Sequence, residues 1–187
     1  MDYTDKVKRE KEFHNKLYSD NKARNLVSRT YIAVKYAQIR NKKLTKIKNA
    51  NVLEIGCGLG IKKAKYYISN NCKYVGIDIS EICINTNLKN ADFEKLSVEY
   101  YVDDANNLPK LKGRKFDLIF MSGVLHHLDY EPALITLKNL LSEKGRLIMI
   151  EPMGENPFIN IFRALTPSIR TIDEHPLLFK DLNYIKS

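Results

Sequence analysis

From Asn49 onward, the chain alternates short apolar runs with amphipathic stretches. Five of the apolar runs predict β-strands: NVLEIG, KYVGIDIS, SVEYYVDDA, KFDLIFMSG and RLIMIEP. The fourth run is almost continuously apolar, which is typical of a strand that is covered on both faces. The pattern therefore predicts a buried sheet.

Between the strands, apolar residues at helical spacing predict helices at about residues 60–69, 80–96 and 131–141. Ser80 is the predicted N-cap of the second helix, because its hydroxyl can accept a backbone N–H of the first turn. Gly145 is predicted to end the third helix in the left-handed conformation.

Strands that alternate with helices favour right-handed crossover connections. The predicted fold class is α/β, a Rossmann-like, doubly wound and mostly parallel sheet with strand order 3-2-1-4-5. Ligands of such sheets bind outside the carboxyl ends of the strands, where the strand order reverses. The site residues are therefore expected at these ends.

Three regions are predicted along the chain: an N-terminal helical cap (1–48), a core (49–152) and a C-terminal helix with a tail (153–187). Apolar residues at helical spacing predict a helix at about residues 25–43 within the cap. Tyr18 and Tyr31 are candidates for an ordered lid over the site.

The 187 residues, 44% of them hydrophobic and 28% charged, are enough for one globular domain. No apolar run approaches the roughly 20 residues that cross a bilayer, and the charged N-terminus lacks the apolar centre of a signal peptide. We therefore expect a cytoplasmic protein that does not use a membrane.

The net charge of +9 raises the question of nucleic-acid binding. The basic residues are scattered along the sequence, which favours an ordinary solvated surface over a binding stripe. Nucleic acid is thus an unfavoured but open partner. Cys57, Cys72 and Cys83 show neither a CxxC pairing nor a metal-ligand spacing, which predicts reduced structural residues.

A glycine-rich turn follows the first predicted strand. Within VLEIGCGLG, glycine occupies every second position at Gly56, Gly58 and Gly60. A backbone without Cβ atoms lets ligand atoms approach closely. The spacing differs from the G-x-G-x-x-G of dinucleotide binders, which disfavours a nicotinamide-dependent oxidoreductase.

Acidic residues end the next two predicted strands. Asp78 closes the second strand, where a carboxylate can accept hydrogen bonds from both hydroxyls of a ribose. Asp104 closes the third strand, where a carboxylate can accept from the exocyclic amine of adenine, and Asp103 is the competing candidate. The order of these features predicts a site for a nucleoside.

These motifs resemble those of the class I S-adenosylmethionine-dependent methyltransferases, and in particular their type 11-like domains. VLEIGCGLG resembles the first motif, VGIDIS the acidic loop, VDDA the adenine loop and FDLIFMSGVLHHL the fourth-strand motif. The resemblance covers about residues 51–152. It implies S-adenosyl-L-methionine as the cofactor and S-adenosyl-L-homocysteine as the product.

The resemblance also implies which residues bind the cofactor. Glu54 and the glycine loop would hold the methionine moiety, Asp78 the ribose, and the residues after the third strand the adenine. The full implied set is Glu54, Gly56, Cys57, Gly58, Gly60, Asp78, Ile79, Asp104, Ala105, Ser122 and Gly123.

His126, His127 and Glu151 are the candidate catalytic residues. Histidine titrates near neutrality and can act as a general base. Neighbouring residues in a turn point in different directions, so one histidine is expected to face the substrate, and the resemblance favours His127. Glu151 could hold a substrate amine, orient a histidine or contribute to a metal site with His127. Such a site needs at least one more ligand, which the sequence does not identify, so no metal is predicted.

The expected reaction is methyl transfer to an O or N atom of a small molecule. The Asn/Asp-Pro-Pro-aromatic signature of amino-methylating DNA enzymes does not follow the fourth strand. No cysteine follows a proline, which disfavours a cytosine C5 enzyme, because those enzymes use a Pro-Cys nucleophile. Two alternatives stay open: a catalytically impaired domain that binds the cofactor or its product, and an RNA methyltransferase.

The region after Pro152 departs from the resemblance. Related proteins usually add two more strands, but residues 153–187 show no convincing pair of strands. The chain is therefore expected to be truncated at the C-terminus, with the final strands reduced or missing. An exposed sheet edge could pair with a second copy in a homodimer.

Overall fold

The computed structural model describes residues 3–20, 45–167 and 171–186. The helix predicted at residues 25–43 and Tyr31 lie outside these ranges. The strands are β1 (Asn51–Ile55), β2 (Lys73–Asp78), β3 (Glu99–Val102), β4 (Phe116–Ser122) and β5 (Leu141–Ile150). The described helices are α1 (Tyr3–Ser19), α2 (Ile61–Ser69), α3 (Glu81–Phe93), α4 (Tyr130–Leu140), α5 (Pro157–Leu165) and α6 (Phe179–Lys186), with 3₁₀ turns at Pro109–Leu111 and Leu125–His127.

The five strands form one parallel sheet in the order β3-β2-β1-β4-β5, which confirms the predicted fold class. Ile55 at the end of β1 pairs with Ile77 in β2 and with Met121 in β4. The strand order reverses at β1, so the loop after Ile55 lies at the switch point where ligands of such sheets bind.

Both faces of the sheet are buried, as the continuous apolar runs predict. One face packs against α4 and the segments after β3 and β4, and its core includes Leu53, Ile55, Val75, Ile77, Leu108, Leu111, Ile119, Met121, Leu125, Leu137 and Leu140. The other face packs against α2 and α3, and its core includes Val52, Cys57, Ala64, Tyr67, Tyr74, Ile84, Ala91, Tyr100 and Leu118. Burial of this apolar surface is the main force that fixes the sheet.

The predicted cap of α3 is confirmed, because the Ser80 hydroxyl accepts the Cys83 backbone N–H at 3.3 Å. The predicted role of Gly145 is wrong. It lies inside β5, at a register shift opposite Phe116, and is not in the left-handed region. A Cβ at this position would lie 2.6 Å from the Phe116 carbonyl oxygen, so close backbone approach is what requires glycine here.

The two ends of the described chain meet beside the sheet. Helix α1 packs against α3, and Arg9 donates two hydrogen bonds, at 2.8 and 2.9 Å, to Asp173 in the C-terminal segment. Within the described ranges, the sheet gains no strand after β5, and only an isolated bridge joins Met153 to Leu177. None of the described helices is long and apolar enough to span a bilayer.

Candidate functional site

The glycine loop connects β1 to α2 and folds tightly against its neighbours. Gly56 and Gly58 have φ angles of +65° and +50°, which side chains rarely adopt. A Cβ on Gly56 would lie 2.3 Å from Val124 Cγ2, and one on Gly58 would lie 2.9 Å from the Tyr18 hydroxyl oxygen. Glycine is therefore required here both by backbone conformation and by close protein contacts.

Asp78, at the end of β2, anchors this loop. Its Oδ2 atom accepts the Gly58 backbone N–H and its Oδ1 atom accepts the Ser80 backbone N–H, each at 2.9 Å. Burial raises the pKa of the Asp78 carboxyl above its ordinary value, although the two backbone donors act in the opposite direction. The residue lies beside the glycine loop as predicted, and its role toward a ribose stays a prediction.

Glu54 lies in β1, and its carboxylate has partners within the protein. It accepts a hydrogen bond from the Tyr74 hydroxyl at 2.8 Å and forms an ion pair with Lys63 of α2. Its side chain is almost completely buried. The arrangement holds β1, β2 and α2 together, so the predicted contact with a methionine moiety stays a prediction.

Cys57 is a buried residue of the same loop. Its backbone N–H donates to the Ile77 carbonyl at 2.9 Å, and burial raises the pKa of its thiol well above the ordinary value. A thiol in that state is a poor nucleophile. None of the three cysteines takes part in a disulfide, which agrees with their predicted structural role.

The loop after β3 contains the two candidate acids for adenine. Asp104 Oδ1 accepts both the backbone N–H and the side-chain N–H of Asn106, at 3.1 and 2.8 Å, and Ala105 is buried beside them. Asp103 Oδ2 is buried and has no hydrogen-bond partner among the described residues. Asp103 thus offers a buried acceptor atom that no group in the described part of the chain occupies.

Glu151, just after β5, organises the loop after β4. Its Oε1 atom accepts the backbone N–H groups of Val124 and Leu125 at 2.9 and 3.0 Å. Its Oε2 atom lies 2.7 Å from Nδ1 of the buried His126. Gly123, with φ +66°, donates to the Ile150 carbonyl at 2.8 Å, which closes the turn. The structure thus brings His126 and Glu151 together.

His127 faces away from Glu151 and toward α1. Its Nδ1 atom lies 3.1 Å from Glu10 Oε2, and its ring makes an edge contact with His14. Burial lowers the pKa of His127. Burial alone would raise the pKa of Glu10, but the imidazoles of His127 and His14 outweigh it and hold that pKa well below the usual range.

Helix α1 covers the carboxyl ends of β1 and β2. Asn15 accepts a hydrogen bond from the Ser80 hydroxyl at 2.7 Å, and Tyr18 lies over Gly58. Glu10, His14 and Asn15 are not among the site residues that the sequence motifs predict. Glu10, His14 and Tyr18 are spaced by four residues, and this helical spacing was the available signal that they share one face.

A family model described as a methyltransferase domain matches residues 46–177, which is more than half of the chain. The chain is 34% identical, over 93 residues, to an uncharacterized methyltransferase of Schizosaccharomyces pombe. That match covers 48% of this chain, and the chain spans 63% of the length of that relative.

Two solved structures show the same fold. A chain from the complex between the Haloferax volcanii Trm112 methyltransferase activator and a methyltransferase matches with a TM-score of 0.71 and 15% identity, over 92% of this chain and 73% of that one. A phosphoethanolamine N-methyltransferase of Haemonchus contortus, in complex with phosphomonomethylethanolamine and S-adenosylhomocysteine, matches with a TM-score of 0.60 and 19% identity, over 77% and 34%.

Proposed function

Because the chain belongs to the methyltransferase domain family, we propose that it binds S-adenosyl-L-methionine and transfers the methyl group to an O or N atom of a small molecule. The observation that carries the proposal is the junction of the glycine loop and Asp78 at the switch point of the sheet. S-adenosyl-L-homocysteine is then the product.

The residues at this edge fit the proposed cofactor. The buried Asp103 Oδ2 atom lacks a hydrogen-bond partner among the described residues, which suits a ligand that brings N–H or O–H donors. Asp78 provides a second carboxylate on the adjacent strand end. We propose that these acids bind the nucleoside, that Ser122 and Gly123 line the sulfonium end, and that Glu54 acts by fixing the loop.

The sulfonium group supplies a methyl carbon that is already activated toward nucleophiles. The protein then has to align the acceptor with that carbon and to remove a proton where the acceptor carries one. We propose the pair of His126 and Glu151 for the proton step, because a carboxylate at 2.7 Å fixes the orientation of the imidazole. His127, the residue that the sequence favours as the base, faces Glu10 of α1.

Calorimetric titration with S-adenosyl-L-homocysteine tests the cofactor assignment. We expect the Asp78→Ala variant to bind much more weakly than the wild type, while Asp92→Ala, an exposed acid on α3, binds equally well. Equal affinities for Asp78→Ala and the wild type would refute the role of Asp78. Transfer of a labelled methyl group to a panel of small hydroxyl and amine compounds then tests the acceptor class.

The chain spans 63% of the length of the Schizosaccharomyces pombe relative. A domain that binds the cofactor without catalysis stays a second candidate. Cofactor binding without turnover on that panel would favour it. Salt-sensitive retention of RNA, together with methylation of that RNA, would favour an RNA acceptor.

A further inference from the structure

Three side chains from two distant parts of the sequence converge beneath α1. Glu10 and His14 lie four residues apart on one face of that helix, and His127 comes from the 3₁₀ turn after β4. The side chain of Glu10 is 5% exposed, that of His127 13% and that of His14 21%. The cluster is therefore largely shielded from water.

The distances in this cluster suit a metal ion. Glu10 Oε2 lies 3.1 Å from His127 Nδ1 and 3.5 Å from His14 Nε2, and one ligand atom of each residue lies within 4.8 Å of the other two. Metal–ligand bonds of about 2.0–2.1 Å in a tetrahedral zinc site separate neighbouring ligand atoms by roughly 3.3 Å. Small side-chain movements would bring all three atoms to such separations.

Two of these atoms also lack hydrogen bonds. Glu10 Oε2 and His127 Nδ1 are both buried, and neither has a hydrogen-bond partner among the described residues, although they face each other. A cation between the two atoms would satisfy both lone pairs.

The other oxygen of Glu10 is held by a hydrogen bond from the Thr171 hydroxyl. Ligating carboxylates in metal sites are commonly oriented in this way by an outer hydrogen bond. The contact leaves Oε2 as the atom directed at the two imidazoles. Thr171 is therefore an outer hydrogen-bond partner that orients the Glu10 carboxylate.

We propose that Glu10, His14 and His127 bind one divalent transition-metal ion, with Zn²⁺ as the preferred ion. Two imidazoles and one carboxylate are a ligand set that zinc uses, with the fourth position left to water or another ligand. The ion joins α1 to the loop after β4. His127 is then a metal ligand, and the proton step stays with His126.

A second cluster shares His127 but is a weaker candidate. It combines His126, His127 and Glu174. His126 already lies 2.7 Å from Glu151, and Glu174 forms an ion pair with Arg163 at 3.2 Å. A metal there would compete with both contacts, whereas two ligand atoms of the first cluster, Glu10 Oε2 and His127 Nδ1, have no hydrogen bond within the described ranges.

The test is a titration of chelator-treated protein with Zn²⁺ alone, followed by calorimetry, and with Co²⁺ alone, followed by visible absorption. We expect one ion per wild-type chain and a Co²⁺ spectrum typical of tetrahedral coordination. Glu10→Gln and His14→Ala should each weaken Zn²⁺ binding by more than roughly tenfold. His175→Ala, which changes an exposed histidine outside the cluster, should bind like the wild type.

Circular dichroism in the presence of chelator identifies any variant that fails to fold, and the Co²⁺ spectrum of the wild type does not depend on the variants. The proposal is overturned if the wild type binds neither ion. It is also overturned if His14→Ala binds as tightly as the wild type, or if His126→Ala abolishes binding while His14→Ala retains it. That last pattern would assign the ion to the second cluster.

Discussion

At the carboxyl ends of the strands, both halves of the sheet use a carboxylate to hold a loop, but they do so in different ways. On the β1–β2 side, Asp78 accepts backbone N–H groups with both of its oxygens. On the β4–β5 side, Glu151 accepts two backbone N–H groups with one oxygen and turns the other toward His126. Both carboxylates fix a loop, and Glu151 also contacts an imidazole, that of His126, at 2.7 Å.

This difference suggests a division of labour along the edge. On the proposed function, the β1–β2 side would hold the cofactor, and the β4–β5 side would also supply the imidazole for the proton step. The predictions that follow change one side at a time.

The largest effect is expected for Glu151→Ala. The substitution removes the acceptor of two backbone N–H groups and the partner of His126, so the free energy of unfolding should fall by about 3–5 kcal/mol. Urea denaturation measures it. Glu143→Ala, at an exposed position in β5, should stay within about 0.5 kcal/mol of the wild type. Equal effects of the two variants would contradict the anchoring role.

A smaller loss is expected for Gly56→Ala. Its φ of +65° and the place of its Cβ, 2.3 Å from Val124 Cγ2, should together lower the free energy of unfolding by about 2–4 kcal/mol. Gly113→Ala is the matched control, because φ is +80° there but the space is open, and about 1–2 kcal/mol is expected. The Val124→Ala substitution should recover part of the difference, and no recovery would contradict the steric cause.

The next effect is a pH dependence that originates at Asp78. Its pKa is raised in the folded state, so its contribution to stability is complete below the ordinary value of 3.8 and is lost as the pH rises through the raised pKa. The contribution falls by at most about 1.4 kcal/mol per pH unit. In Asp78→Asn this decline should disappear, while Asp92→Asn should keep it. Urea denaturation midpoints, measured at intervals from pH 3.5 upward, test this expectation. A decline in Asp78→Asn equal to that of the wild type would contradict the role of Asp78.

The smallest effect is expected for Tyr18→Phe. The ring stays packed and only the hydroxyl near Gly58 is removed, so the free energy of unfolding should change by less than about 1 kcal/mol. Tyr66→Phe, on the exposed face of α2, is the control for loss of a hydroxyl in itself. Calorimetry with S-adenosyl-L-homocysteine should show a smaller change in Kd for Tyr18→Phe than for Asp78→Ala. The reverse order would move the cofactor contact from β2 to α1.

The sheet could be predicted from the sequence because its signals are local. Apolar runs, the cap at Ser80 and the glycine turn after β1 each depend on a few adjacent residues, and the alternation of strands with helices favours the observed strand order. The helix end predicted at Gly145 is wrong because glycine is favoured both at helix ends and where two backbone segments approach closely. Only the position of Phe116, on another strand, distinguishes the two cases.

The site could be predicted in part. Asp78 and Glu151 follow strands, so their place at the edge was visible from the sequence, but their hydrogen bonds to loops were not. The cluster of Glu10 and His127 depends on how α1 packs against the turn after β4, more than a hundred residues away along the chain. The spacing of Glu10 and His14 indicates a shared helix face, but nothing in either segment alone indicates that this face meets His127.

The position of Tyr18 has a consequence for the order of events in a catalytic cycle. On the proposed function, a nucleoside bound against Gly58 would take the space of the Tyr18 hydroxyl, so we expect α1 to shift when the cofactor binds and when the product leaves. A ligand or partner that held α1 against the sheet would then slow both cofactor binding and product release. The rate of turnover would be limited by the movement of α1 and not by the cleavage of the carbon–sulfur bond.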